Sequence, residues 1–279
     1  STTIHSKLDE LGAYFDINLS HEGLLISIFA LKSNLLNSFR ILQDAIQNVI
    51  FPEKEIQEII NERREKHKIS QKKGSFLSQR KFQEKIFHNT PYSELTELED
   101  YDSVSRIDLI KFHNNNMKKG LYKIALVGSI EQNEIDIIIG LCKKNCIEKE
   151  LTYFSDFLNQ KGVFEVPLDS ALQSALRIGK TMFNKSHADF MDFSILNTVL
   201  GDYFGSRLMK NIREDKGYTY GIGSALAETG ASGYFIIGSE VSIEQIKPTL
   251  TEIKKEIDFI RDKKMDEKEL ELVKNYLLG

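Results

Sequence analysis

The sequence predicts an α+β fold in which one two-layer unit, a mainly antiparallel sheet with helices packed on one face, occurs twice. Three features of its 279 residues predict this fold. Short stretches of alternating apolar and polar residues come in pairs, which is typical of β-hairpins. An amphipathic helix follows each pair. The same order of elements returns about 210 residues later, which indicates a duplicated unit.

The first copy of the unit begins near the start of the chain. Residues 11–15 and 24–31 form its predicted hairpin. A helix follows, because apolar side chains recur three or four residues apart: they are Leu35, Phe39, Leu42, Ile46 and Val49. A second helix begins within residues 51–56, which completes the strand-strand-helix-helix unit.

The second copy repeats this order. Residues 216–220 and 233–241 form its hairpin, and a further helix begins within residues 265–270. The face of the intervening helix carries Ile246, Leu250, Ile253, Ile257 and Ile260. The distance between the copies is 205 residues at the hairpin glycines and 214 residues at the second helices, and loop insertions explain the difference.

At the 205-residue offset, two apolar positions of the first copy become polar in the second. Arg213 takes the place of Leu8, and Tyr220 takes the place of Phe15. Both replacements can donate hydrogen bonds, so the second copy is the better candidate for a functional site.

Organised residues precede the second hairpin and have no counterpart before the first. They comprise a strand expected at residues 163–178 and a helix at 189–212. We therefore interpret the chain as a window of a longer protein, with the missing elements before Ser1. In this interpretation residues 1–150 are the C-terminal part of a first unit, and residues 160–279 are the N-terminal and central part of a second.

Several elements are expected between the two copies. The pattern predicts helices at residues 53–69, 76–87 and 105–115, a strand at 121–127 and a helix at 131–146. The polar stretch at residues 148–162 is the expected boundary between the units.

Composition excludes several classes of protein. Hydrophobic residues make up 41% and charged residues 28%, which supplies a core and excludes a disordered chain. A formal net charge of −4 provides no general attraction to nucleic acid. The apolar runs are too short to cross a bilayer. We expect a soluble protein without a nucleic-acid partner or membrane span, in either the cytoplasm or the periplasm.

Side chains that commonly bind metals are poorly spaced for a site. None of the six histidines lies in His-x-x-x-His or His-x-x-Glu-His spacing, which would place two ligands on one helix face. We therefore expect surface or capping histidines. Cys142 and Cys146 are interpreted as two buried thiols, since no further ligand lies near them in the sequence. The prediction is that this chain alone binds no zinc.

Residues 208–221 form the most distinctive local feature. A predicted helix ends there in charged residues, Gly217 turns the chain, and a strand with further glycines begins. Such glycines let another backbone, such as that of a peptide, approach closely. Arg213 and Tyr220 within this segment are candidate hydrogen-bond donors; the alternative is a surface arginine and a half-buried tyrosine.

This segment resembles a signature of the insulinase and mitochondrial-processing-peptidase superfamily of zinc metallopeptidases, also called pitrilysin-type. The signature Leu/Ile-Arg-Glu-x-x-Gly-x-x-Tyr corresponds to residues 212–220. Shorter matches lie at residues 11–13, 51–55, 91–92, 127–128 and 173–174. The family duplicates an α+β unit of about this length, in agreement with the repeat.

The resemblance implies an endopeptidase whose paired units close around a peptide like a clamshell. A His-x-x-Glu-His helix in the family supplies two zinc ligands and a glutamate base, and Glu62 matches a further glutamate ligand. Arg213 and Tyr220 match the pair that faces the oxyanion. The peptide-binding strand of the family, usually Asn-Ala-x-Thr, corresponds to Asp16, Ile17, Asn18 and Leu19.

The His-x-x-Glu-His segment is absent from these residues, and two hypotheses follow. In the first, the chain is a fragment of a zinc-dependent endopeptidase whose metal helix lies before Ser1, and Glu62 binds zinc only together with those upstream histidines. In the second, it is a zinc-less partner or scaffold subunit, as in some bacterial members. It then supplies its Arg/Tyr pair to a zinc-bearing sister chain or works as a homodimer. Both hypotheses imply a peptide or unfolded polypeptide as substrate.

Overall fold

The computed structural model describes residues 2–21, 23–118, 123–143, 160–169, 171–230 and 232–279. Its helices are α1 (Thr2–Asp9), α2 (Leu35–Gln47), α3 (Glu53–Ser70), α4 (Gly74–Ile86), α5 (Asp100–Ser103), α6 (Arg106–Phe112), α7 (Gln132–Lys143), α8 (Phe190–Gly201), α9 (Ile246–Asp262) and α10 (Glu267–Leu278). Its strands are β1 (Tyr14–Leu19), β2 (Leu24–Phe29), β3 (Gln173–Met182), β4 (Thr219–Thr229) and β5 (Ser232–Ser242). No helix among the described residues is long and apolar enough to cross a membrane.

The chain forms two compact units. One combines Ser1–Arg64 with Glu97–Thr152, and the other combines Glu65–Thr96 with Tyr153–Gly279. The second compact unit therefore includes α4, which the sequence pattern places between the two copies. The predicted assignment of residues 1–150 and 160–279 to parts of two peptidase-like units stays a prediction.

The first unit contains a two-stranded antiparallel sheet. β1 and β2 pair in one register along all six residues of each strand. Leu8, at the end of α1, is buried, and its carbonyl oxygen accepts the amide hydrogen of Ala13 just before β1 (2.9 Å). This contact holds α1 against the start of the hairpin.

In the part of the chain that the structure describes, the second unit is built on a three-stranded antiparallel sheet in the order β3-β5-β4, in which β4 is an edge strand. One face of the sheet carries the main core, which consists of Leu200, Leu208, Ile212, Ile222, Ile237 and Ile253. Helix α4 packs on the opposite face of β3. Gly179 makes room for it there, because a Cβ at this position would lie 2.9 Å from the ring of Phe82.

The two predicted copies have the same order of elements, which confirms the duplicated α+β unit. In the first copy α1, β1, β2, α2 and α3 follow one another; in the second they are a π-helical segment at Met209–Asp215, β4, β5, α9 and α10. A short 3-10 turn precedes α2 at Lys32–Asn34 and α9 at Ile243–Gln245.

The helix expected at residues 189–212 is wrong in one respect, because it stops at Gly201 and turns before the π-helical segment Met209–Asp215. The spacing of apolar residues does not reveal this turn, because residues on both sides of it are buried in one core. A Cβ at Gly201 would lie 2.6 Å from the backbone nitrogen of Ser224. The helix end is thus pressed against β4, and the chain turns there.

The strand expected at residues 121–127 is wrong for the part that the structure describes. Residues 123–127 form no strand, and the side chain of Val127 is 97% exposed. β-branched residues become a strand only where a neighbouring strand pairs with them, and the described residues provide none here. The strand expected at residues 163–178 begins only at Gln173. The polar boundary at residues 148–162 lies mostly outside the described residues, as does Cys146.

Two histidines are buried, contrary to the expectation of surface or capping positions. Nε2 of His113 lies 2.7 Å from the carbonyl oxygen of Ile46. The ring of His67 lies within 3.3 Å of the Gln71 amide nitrogen. Both rings therefore have hydrogen-bond partners and a structural role. Cys142 is half-buried rather than buried.

Candidate functional site

Tyr220 lies in a β-bulge on the edge strand β4. Thr219 pairs with Val241, but the next regular pair is Ile222 with Ser239, so β4 has one more residue than β5 at this point. The Tyr220 side chain is 91% exposed and not half-buried. Bulges redirect side chains and are common beside active sites.

Two buried hydroxyl groups replace the strand hydrogen bonds that the bulge removes. The Thr219 hydroxyl donates to the carbonyl oxygen of Glu240 (2.6 Å) and accepts from the amide of Gly221 (3.1 Å). The Ser239 hydroxyl lies 3.1 Å from the Thr219 hydroxyl and 3.0 Å from the carbonyl oxygen of Gly221. Because both hydroxyls are buried, little water competes for these bonds, and they stabilise the backbone on both sides of Tyr220.

The hairpin of the first copy lacks this bulge. β1 and β2 keep one register, and Tyr14 occupies the place of Thr219. Its ring stacks on Phe29 with the centroids 4.6 Å apart. Tyr14 therefore offers no small hydroxyl group in the place of the Thr219 hydroxyl. The two copies therefore differ in backbone as well as in side chains at the position of Tyr220.

Arg213 lies in the π-helical segment Met209–Asp215 and is half-buried. Its guanidinium carbon is 4.8 Å from the ring centroid of Phe204. Stacking on an aromatic ring orients a guanidinium while its N–H groups can still donate in the ring plane.

The structure corrects which residue of the first copy corresponds to Arg213. Leu8 and Ile212 are both buried. The carbonyl oxygen of Leu8 accepts the amide hydrogen of Ala13 (2.9 Å), and that of Ile212 accepts the amide hydrogen of Tyr218 (3.0 Å), in each case from the residue after the turn glycine. The π-helical turn makes the second of these connections one residue longer. Leu8 therefore corresponds to Ile212, and Arg213 corresponds to Asp9.

Two grooves adjoin on the second unit. The Tyr220 groove, of about 380 Å³, is lined by Gln173, Arg177, Thr219, Tyr220, Gly221, Gly238, Ser239 and Glu240. The Phe204 groove, of about 550 Å³, is lined by Arg177, Gly201, Asp202, Tyr203, Phe204, Met209, Gly223, Ser224, Ala225, Ile236 and Gly238. Arg213 is in neither lining and reaches the second groove only through its stacking on Phe204. The structure thus does not place Arg213 and Tyr220 in one groove.

Arg177 of β3 belongs to the lining of both grooves. Its guanidinium packs on Gly238, where a Cβ would lie 3.5 Å from Nη1. Nε donates to Oε1 of Gln79 (3.2 Å), and Nη1 donates to the carbonyl oxygen of Leu176 (2.8 Å). Burial lowers the pKa of Arg177 from its ordinary value, and the negative charge of Glu240 partly offsets this effect.

Sequence reasoning did not single out Arg177, Thr219 or Ser239. Arg177 did carry a signal, because it stands between Leu176 and Ile178 within a strand, and a charged side chain among apolar neighbours needs a compensating environment. The two hydroxyl residues carried none, since serine and threonine are common in strands and turns of every kind.

The remaining predicted site residues lie in the first unit. Glu62 is exposed on α3. Among the described residues, no group of three or more His, Cys, Asp and Glu side chains could hold a metal ion, so the residues around Glu62 do not fit zinc. The predicted peptide-binding residues, Asp16, Ile17, Asn18 and Leu19, are all exposed on β1. Within the described part of the chain β1 pairs with β2 only, and its other edge is open to a further strand.

The family described as the peptidase M16 inactive domain matches residues 103–277. The chain is 22% identical over 274 residues to a protein of Rickettsia felis named as an uncharacterized zinc protease, in a match that covers 95% of this chain and 65% of that protein. YmxG of Bacillus subtilis, also named as an uncharacterized zinc protease, is 29% identical over 107 residues, in a match that covers 38% of this chain and 26% of that protein. The chain thus spans just under two thirds of the length of the Rickettsia relative.

Solved structures show the same fold. The peptidase M16 inactive domain from Pseudomonas fluorescens superposes with a TM-score of 0.88 at 21% identity, covering 100% of this chain and 69% of that one. The periplasmic protease PqqL from Escherichia coli superposes with a TM-score of 0.76 at 12% identity, covering 99% of this chain and 31% of that one.

Proposed function

This chain belongs to the family of the peptidase M16 inactive domain, and on that premise we propose that it holds an extended peptide and presents Arg213 and Tyr220 to a carbonyl group of that peptide. The observation that carries the proposal is the 91% exposure of Tyr220, on an edge strand and beside a groove. An edge strand offers unpaired N–H and C=O groups with which a peptide can form a further strand.

The chemical role of the two side chains is to donate hydrogen bonds. When a peptide carbonyl is attacked, negative charge develops on its oxygen, and fixed donors stabilise that state more than the ground state. Tyr220 supplies a phenolic O–H and Arg213 a guanidinium N–H. Arg213 and Tyr220 line no common groove, so we propose that the peptide runs from the Tyr220 groove towards Phe204 and that the carbonyl group lies between the two side chains.

Hydrolysis also needs a group that activates water, and the described residues do not fit zinc. We propose that residues of the intact protein outside this chain hold the metal; the relatives named as zinc proteases support this source. The alternative is a zinc-bearing sister chain, with the present chain as the zinc-less partner.

The test is a cleavage assay on unfolded casein with the full-length protein. Tyr220→Phe should lower kcat by about 10²–10³-fold with little change in KM, because the lost hydrogen bond is made mainly in the transition state. Tyr276→Phe is the matched control, since this tyrosine is also exposed (54%) but lies on α10. An unchanged kcat in Tyr220→Phe would contradict the proposal.

The same assay separates the two sources of zinc. Cleavage by the full-length protein alone supports a metal site in its own sequence. Cleavage that requires a zinc-bearing homologue from the same organism supports the partner hypothesis. Absence of cleavage both by the full-length protein alone and by its mixture with the homologue would contradict the hydrolytic role.

A further inference from the structure

We propose that Arg177 binds a carboxylate of the peptide in the Tyr220 groove; this rests on the proposed peptide binding and adds the chemical class of the ligand. The groove of about 380 Å³ has the size of a small-ligand site. Arg177 lies in its lining and packs on Gly238, where a Cβ would lie 3.5 Å from Nη1, so no side chain from this position covers the guanidinium.

The positive charge of Arg177 has no carboxylate in contact with it. Its two described hydrogen bonds go to the neutral oxygens of Gln79 and Leu176. None of the ion pairs between described residues includes Arg177. A guanidinium has five N–H groups, so donors remain after these two bonds. A half-buried positive charge is stabilised by an anion more strongly than an exposed one, because water screens it less.

A carboxylate suits these donors best. Guanidinium and carboxylate groups form paired, parallel hydrogen bonds that add geometric selectivity to the charge attraction. The bonds to Gln79 and Leu176 fix the plane of the guanidinium before the ligand arrives, so less side-chain entropy is lost on binding.

Glu240 lines the same groove, and its negative charge acts on Arg177. It is exposed and makes no described ion pair with Arg177. Its negative charge repels an incoming carboxylate, so its removal should strengthen binding. The two residues therefore have opposite expected effects on one measurement.

Peptides offer carboxylates from two sources, the C-terminus and acidic side chains. One acetylated octapeptide in three versions distinguishes them: amidated and neutral, with a free C-terminus, and amidated with one internal glutamate. These 279 residues contain no tryptophan, so Tyr220→Trp adds one at the groove, and the tryptophan signal of the full-length parent protein is subtracted as background. Titration of the full-length Tyr220→Trp protein then gives the Kd of each peptide, and calorimetry on the unsubstituted protein checks that the reporter does not alter the order.

We expect at least one carboxylate peptide to bind about tenfold more tightly than the neutral peptide. Arg177→Gln should abolish that preference, and Glu240→Gln should increase it. Lys180→Gln removes the same charge from β3 but on the other face of the sheet, and it should leave the preference unchanged. Added salt should reduce the preference in the parent protein.

The possible failures are distinct. If all three peptides bind equally to the parent protein, or Arg177→Gln keeps the preference, the inference is wrong while peptide binding stands. If no peptide binds, the proposed function fails with it. If circular dichroism shows that Arg177→Gln is unfolded, Arg177→Lys and Glu240→Gln decide: the first should retain part of the preference, the second should increase it, and no change in either would overturn the inference.

Discussion

Gly12 and Gly217 have the same left-handed backbone conformation, with φ of +62° and +66°, at the same point before the hairpins of the two copies. In each case the preceding helix buries its last large apolar side chain and must reverse direction before the strand begins. Only glycine adopts this conformation without steric cost. The turn is therefore a shared device of the repeated unit.

The first prediction concerns these turns. Gly217→Ala should reduce the free energy of unfolding by about 1–2 kcal/mol, through backbone strain alone, because no atom lies within 4 Å of the added Cβ. Gly12→Ala should behave alike. Gly140→Ala in α7 also adds a Cβ in open space, but in a helix it should stabilise by about 0.5–1 kcal/mol. Urea unfolding measures all three, and equal effects at Gly12 and Gly140 would contradict the argument.

The second prediction concerns the bulge. Thr219→Val keeps the shape of the side chain but leaves the carbonyl of Glu240 and the amide of Gly221 without their hydroxyl partner. Stability should fall by about 1–3 kcal/mol. Thr229→Val is the matched control on the same strand, because the Thr229 hydroxyl is buried without a partner and its removal should cost nothing. A larger loss at Thr229 would refute the role assigned to the bulge network.

The third prediction concerns an ion pair between distant segments. Nε and Nη2 of Arg207 donate to the two carboxylate oxygens of Glu269 at 2.8 and 2.5 Å, and both side chains are mostly buried. Glu269→Gln should lower the free energy of unfolding by about 1–3 kcal/mol, because the partly buried guanidinium loses its hydrogen-bonded counter-charge and keeps only Glu256, 4.0 Å from Nη1. Glu271→Gln, an exposed change on the same helix, should have an effect below about 0.5 kcal/mol. Thermal unfolding compares the two.

The fourth prediction concerns pH. Partial desolvation of the Asp202 carboxyl raises its pKa above the ordinary value, although the residue as a whole is exposed. The folded state therefore binds a proton more readily than the unfolded state, and the charged carboxylate opposes folding at neutral pH. Asp202→Asn should be more stable than the parent at pH 7, by less than about 1 kcal/mol since water screens this exposed residue. The difference should shrink as the pH falls through the raised pKa towards about 4. A difference that grows on acidification would contradict this sign.

The fifth prediction concerns zinc. After dialysis the 279-residue chain should retain no stoichiometric zinc, and Glu62→Gln should not alter its metal content, because a protein zinc site needs at least three ligands. Atomic absorption provides the measurement. Bound zinc that disappears in Glu62→Gln would show that the chain completes a site by itself.

The sequence by itself determined the fold class and the duplication. Alternation along the hairpins and the three-to-four-residue spacing of apolar side chains in α2 and α9 are local patterns, and each local pattern selects its own secondary structure. The same order of elements occurs again later in the sequence, with a glycine before each hairpin, so the sequence also predicted two copies of the unit. The pattern could not locate the end of α8, since the core continues on both sides of Gly201.

Only the tertiary structure decided the surroundings of Tyr220. The bulge depends on Thr219 and its partner Glu240, 21 residues away, and the placement of Arg177 depends on Gln79, 98 residues away. Such contacts leave no periodic trace, because they join side chains of different elements once each. The correspondence between the copies also depended on the tertiary structure. A constant spacing of 205 residues aligns Arg213 with Leu8. The π-helical turn contains one extra residue, so in the structure Arg213 corresponds to Asp9.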